Sequence, residues 1–193
     1  MDGKRGRGSP NRGLAAWLGM AKTVLLLTGR PGVGKTTLLR RALATFAGRA
    51  GGFYTREIRE GQRRVGFALV TLDGEEAVLA RVAFADRQRV SRYGVDVEAL
   101  DRVGVAAVRR ALRESDLVVV DEVGKMELLS PAFREAVGEA VASGKPLLGT
   151  VMLAANPWAD RLKRDPRVEV VYLDEHNRGE VETRLREWLA QWT

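Results

Sequence analysis

The 193-residue sequence contains no cysteine and a single histidine, His176. Disulfide frameworks, thiol nucleophiles, zinc fingers and multi-histidine metal centres are thereby excluded by inventory. Whatever chemistry the chain performs must use carboxylates, Lys, Arg, hydroxyls, backbone amides and a hard cation. No apolar run approaches the eighteen or so residues that a membrane span needs, so no membrane partner is expected. Asn and Gln are scarce and Arg outnumbers Lys. Avoidance of labile amides in a thermophile and GC-rich codon usage explain this equally well.

What is present is an ordinary globular mixture, 45% hydrophobic and 30% charged, in a length that suits one domain. The formal net charge is +7. Residues 1–19 hold Lys4, Arg5, Arg7 and Arg12 against Asp2, which accounts for +3 of it. The remainder is a modest surplus. Residues 1–20 read as a basic, Gly-rich, disordered tail, and 21–193 as the domain. The tail is either a solvated arm or precedes a natural start at Met20. Nucleic-acid binding through it is an alternative that is not favoured, because aromatic residues do not cluster with the basic runs. A secretory signal lacks its small-x-small cleavage site.

"TVLLLTG" (23–29) is a continuous apolar run, as a parallel strand covered on both faces requires. A helix is predicted after it, with Leu38, Leu39, Ala42, Leu43 and Phe46 on one face. Residues 51–83 change to β-rich runs broken at Gly61 and at the Asp73–Gly74 turn, which predicts an antiparallel hairpin or meander inserted after the first helix. "FADRQRVSRYGVDV" (84–97) reads as a polar connection, and helical spacing resumes through Gly104. "LVVVDEVG" is a second buried strand. Ser130 and Pro131 open a helix to about 143, followed by the strand "PLLGTVM", a short helix near 157–164, the strand "VEVVYL" and a closing amphipathic helix. Alternating strands and helices predict an α/β fold, a parallel central sheet with helices on both faces.

Residues 29–36, "GRPGVGKT", match G-x-x-x-x-G-K-[ST]. Glycines let the backbone wrap a phosphate with its N–H groups inward, and the following helix offers its positive end. By average residue frequencies this pattern arises by chance in about one chain of this length in a hundred, and its place between an apolar strand and an amphipathic helix confirms it. Lys35 is assigned to the β- and γ-phosphates and Thr36 to Mg²⁺. Asp121, at the end of "LVVVD", is assigned to hold Mg²⁺ through its water shell while Thr36 holds it directly, and Glu122 is the candidate to activate water. Lys125 is a candidate cation for the γ-phosphate, or a solvated loop residue. Arg87, Arg89 and Arg92 are either a lid over phosphates or a solvated face. Asn177 and Arg178 stand where base or ribose contacts form, or Asn177 caps a helix. Trp188 and Trp192 are read as packing.

Taken in order, "GRPGVGKTTL", "GGFYTREIREGQRRVGF", "VSRYGVDVE", "VVVDEVGKMEL" and "HNR" resemble the thermophilic-type nucleoside-triphosphatase family, which has cancer-related relatives in animals. The resemblance spans about residues 21–190. It implies a three-layer, RecA-like P-loop NTPase that hydrolyses ATP, GTP and other triphosphates to diphosphate and phosphate with Mg²⁺ and little base preference. It also implies nucleotide contacts at Gly29, Arg30, Pro31, Gly32, Val33, Gly34, Lys35 and Thr36, and at Leu117, Val118, Val119, Val120, Asp121, Glu122, Val123 and Gly124. Gln62 replaces an expected Gly in a turn. A nucleotide or nucleoside kinase on the same scaffold is the alternative, whereas the absence of N-K-x-D argues against a signalling GTPase. Free nucleoside triphosphates place such a protein in the cytoplasm. Oligomeric state is not legible.

Overall fold

The computed structural model describes residues 22–192; the expectations for the basic tail lie outside them. One nine-stranded sheet organises the chain, in the order β5-β6-β4-β3-β2-β7-β8-β1-β9. Strands β1 (Val24–Thr28), β2 (Ala50–Glu60), β7 (Leu117–Val123), β8 (Leu147–Val151) and β9 (Val168–Tyr172) pair in parallel. This is the predicted central sheet, and its carboxyl edge gathers the ends of β1, β7, β8 and β9.

Period-two side-chain alternation divides each buried strand between two cores. On one face Leu25 and Leu27 of β1, with Leu117 and Val119 of β7, pack against α1 (Lys35–Leu43) and α6 (Arg178–Ala190). On the other, Val24, Leu26, Val118 and Val120 meet α3 (Ala106–Glu114), α4 (Pro131–Ala142) and α5 (Pro157–Lys163). Both faces being covered is why these strands read as unbroken apolar runs. Trp188 and Trp192 pack edge to face at 5.7 Å, as read, and Trp188 Nε1 donates to Lys22 O at 2.9 Å, tying α6 to the entry of β1.

The inserted segment is the antiparallel meander expected, three strands long: β2 pairs with β3 (Arg63–Thr71) and β3 with β4 (Glu76–Arg81), and because β2 also pairs with β7 the meander continues the central sheet. The polar connection 84–97 is corrected: it holds a further hairpin, β5 (Gln88–Val90) and β6 (Tyr93–Val95). Three-residue strands rich in Arg give no periodic signal. They form because β6 docks on β4 and Tyr93 packs against Phe67, ring centroids 5.2 Å apart. Asp96 then caps the short α2 (Val97–Ala99), accepting from Ala99 N at 3.0 Å. A π-helical stretch, Leu100–Val105, carries the chain into α3 with Gly104 at the spot where a side chain would press on Leu100 and Phe53. Ser130 caps α4 as predicted, accepting from Phe133 N at 2.9 Å.

Candidate active site

The loop between β1 and α1 is shaped by glycines that no other residue replaces freely. Gly34, just before the helix, has φ 96°, and a Cβ there would lie 2.5 Å from the Arg178 guanidinium. Gly29 abuts Leu173 O, where a Cβ would sit at 2.3 Å. The first turn of α1 has no side-chain cap, so its N–H groups face the loop as donors for an anion. Lys35 Nζ reaches back to Gly29 O at 3.1 Å, which holds the ammonium over the same loop.

The second half of the site arrives on β7. Asp121 is 1% exposed, and the Thr150 hydroxyl of β8 donates to its Oδ1. Its Oδ2 has no hydrogen-bond partner. Among the described residues it is the one atom of an ionisable group so stranded, and a bare buried carboxylate oxygen is costly unless a cation or donor meets it. Burial pushes the Asp121 carboxyl up, while Thr150, the Thr36 hydroxyl and the Lys35 charge act the other way. Glu122 is also pushed up by burial, with Lys35 opposing and the Asp121 charge adding to the rise. Lys35, Thr36, Asp121 and Glu122, 85 or more residues apart as two pairs in sequence, are therefore brought into one electrostatic unit.

The donor set fits Mg²⁺: a hydroxyl from Thr36, an orphaned oxygen from Asp121, and phosphate and water ligands for the rest. No group of three or more His, Cys, Asp or Glu that could by itself hold a metal occurs among the described residues.

Other predicted residues fall elsewhere. Leu117, Val118, Val119, Val120 and Val123 are wholly buried; their side chains anchor β7 in the two cores and do not face a ligand. Arg30, Pro31 and Gly32 lie exposed on the loop, Val33 half-buried. Lys125 is exposed beyond Gly124. Arg87, Arg89 and Arg92 lie on or beside the β5–β6 hairpin, with β4, β3, β2, β7 and β8 between it and β1. They are engaged there: Arg87 with Asp96 at 3.4 Å, Arg89 with Arg92 O, and Arg92 with Arg64 O at 2.8 Å. The lid expectation is thus not met. Asn177 precedes α6 without capping it; its Oδ1 accepts from Asp174 N at 2.9 Å and its Nδ2 donates to Tyr172 O at 2.8 Å. Arg178 crosses to the phosphate loop, donating to Val33 O at 2.6 Å.

Two residues of the site were not singled out from the sequence. Thr150 carried a faint signal, one hydroxyl inside an apolar strand. Glu127 gave no signal beyond one charge past the strand; it proves 4% exposed, in the turn Glu127–Leu129. Thr150→Val, which keeps the shape and deletes the donor, should raise the Mg²⁺ concentration for half-maximal activity about tenfold, the scale of a lost hydrogen bond to a charged group. A magnesium titration that superimposes on the parent's would remove Thr150 from the site.

No helix among the described residues is long and apolar enough to cross a membrane. A family model described as "NTPase" matches residues 24–185. The nucleoside-triphosphatase THEP1 of Thermotoga maritima is 46% identical over 155 residues, covering 80% of this chain and 88% of that protein. The crystal structure of THEP1 from the hyperthermophile Aquifex aeolicus superposes with a TM-score of 0.79 at 29% identity, covering 86% of this chain and 98% of the other. The solution structure of a human cancer-related nucleoside triphosphatase gives 0.71 at 32% identity, with 90% and 100% covered. With the phosphate loop, the paired carboxylates and a match over most of its length, the chain belongs to the NTPase family of P-loop enzymes, the nucleoside-triphosphatases.

Proposed function

We propose that the protein hydrolyses ATP, GTP and other nucleoside triphosphates to the diphosphate and phosphate, with Mg²⁺ as cofactor and little preference for the base, in the cytoplasm. The observation that carries this reading is the stranded Asp121 Oδ2 beside Thr36 and Lys35 at the mouth of the phosphate loop. The loop N–H groups and the start of α1 bind and orient the β- and γ-phosphates. Lys35 offsets negative charge that builds on the transferred group. Glu122 orients the attacking water and takes its proton. When bound between Thr36 and Asp121, Mg²⁺ supplies charge neutralisation of the phosphate oxygens.

Phosphate release from ATP, GTP and CTP with Mg²⁺, with and without added nucleosides and nucleoside monophosphates, tests the proposal. Similar release from all three without acceptor is expected. Release that depends on an acceptor, with the acceptor phosphorylated, would make the enzyme a kinase on the same scaffold. To Lys125, exposed next to Gly124, we assign the role of a cation for the γ-phosphate, the alternative being a solvated loop lysine. Lys125→Ala should then lower turnover about tenfold or more; an unaltered rate would leave it a surface lysine.

A further inference from the structure

One buried acid is unused by this scheme. Glu127 lies behind the end of β7, where the backbone N–H groups of Gly124 and of Glu127 itself donate to its carboxyl. Gly124 separates it from Glu122: a Cβ on that glycine would lie 2.8 Å from Glu122 Oε1 and 2.8 Å from Glu127 Oε2. The two carboxyls therefore face each other across a residue that has no side chain to part them. Glu122, in turn, is under the charge of Lys35 from the phosphate loop side.

We propose that Glu127 is a positioning residue for hydrolysis, which backs Glu122 across Gly124 and seats its carboxylate toward Lys35 and the attacking water. The proposal rests on the reading of Glu122 as the group that takes the water's proton. Two adjacent carboxyls in a buried place cannot both ionise cheaply, so the pair holds one proton. The charges acting on Glu127 are Glu122 and Asp121, both negative and both on β7, whereas Glu122 has a cation within reach. Burial first, then the Glu122 charge, pushes the Glu127 carboxyl up to about 8. At neutral pH Glu127 accordingly keeps its proton and sets no like charge behind Glu122. Ionisation of Glu127 would place like charge against Glu122 across Gly124, turn that side chain from its seat, and set a further negative charge behind an anionic substrate.

The test is the pH profile of kcat/KM, from pH 6 to 9.5, of the full chain and of Glu127→Gln, whose amide keeps the size of the neutral acid and its backbone acceptor but cannot ionise. For the parent, kcat/KM should be about tenfold lower at pH 9 than at pH 7, following loss of one proton near 8. In Glu127→Gln that alkaline fall should be absent. Glu127→Ala, which leaves Glu122 unsupported, should lower kcat at every pH. An alkaline fall of the same size in Glu127→Gln, or a parent rate that rises through pH 8, would overturn the proposal. Should the amide variant not fold, Glu127→Met takes its place. A thermal series on the parent and on Glu127→Gln adds an independent arm. A carboxyl whose folded pKa lies above its unfolded value gives stability that is fully present below about 4.5 and lost as pH rises through about 8. The Tm of the parent relative to Glu127→Gln should therefore fall from pH 5 to 8, and a difference that does not change with pH would also overturn the proposal. Absence of phosphate release from the parent at any pH would instead count against the proposed activity, and the thermal arm would still report on Glu127.

Discussion

Lys35→Ala abolishes phosphate release, an expected loss of about a thousandfold or more with weaker triphosphate binding, the scale seen when a charged donor to a transferred phosphoryl group is removed. The reason lies in the two duties that the structure gives this ammonium. It sits over the phosphate loop, 3.1 Å from Gly29 O, where triphosphate charge would lie. It is also the cation that acts on both Asp121 and Glu122. Its removal thus leaves the Asp121 and Glu122 carboxyls without the cation that acts on both, and both should take up protons more readily. Steady-state phosphate release and binding of a fluorescent triphosphate read the two effects separately. Full activity in the variant would dismantle the whole assignment, since Lys35 is the cation that acts on both Asp121 and Glu122.

Glu122→Gln should lower turnover by about a hundredfold or more, the scale of a lost general base, while Mg²⁺-triphosphate binding is preserved. The amide keeps the size of the side chain and its place against Gly124 and Glu127, but cannot accept a proton. The parent's turnover should fall as pH drops through the Glu122 ionisation, which burial holds above the ordinary carboxylate range. In Glu122→Gln the residual rate should lose that acid limb. Stopped-flow binding beside single-turnover hydrolysis checks both. Binding that collapses along with turnover would move Glu122 into the metal site and leave the water without its base. The Glu122 and Glu127 variants are adjacent in space, so their effects should not add: a double variant should resemble Glu122→Gln alone.

How far the site could be read ahead depended on how local each part is. The phosphate loop is eight consecutive residues, and its shape follows from its own glycines and the helix that begins at Lys35. The carboxylate pair could be placed because β7 is a run of aliphatic residues that can only be a covered strand, so Asp121 must emerge at its end. Other parts were silent for a common reason. Thr150 matters because β8 lies between β1 and β7, an order that the chain does not disclose. The β5–β6 hairpin is too short for a periodic pattern and exists by docking on β4 and Phe67. Glu127 looked like one more charge in a loop until the turn at Gly124 folded it beneath β7.

The sequence by itself determined the fold class and the nucleoside-triphosphatase family, and it singled out Lys35, Thr36, Asp121 and Glu122 as candidates. These rest on hydrophobic periodicity and short-range backbone geometry, which act between near neighbours along the chain. Only the tertiary structure decided which arginines stand away from the site, which hydroxyl holds Asp121, and how Glu127 comes to face Glu122. Those depend on burial and on the low dielectric it creates, and both are made by residues far apart in sequence.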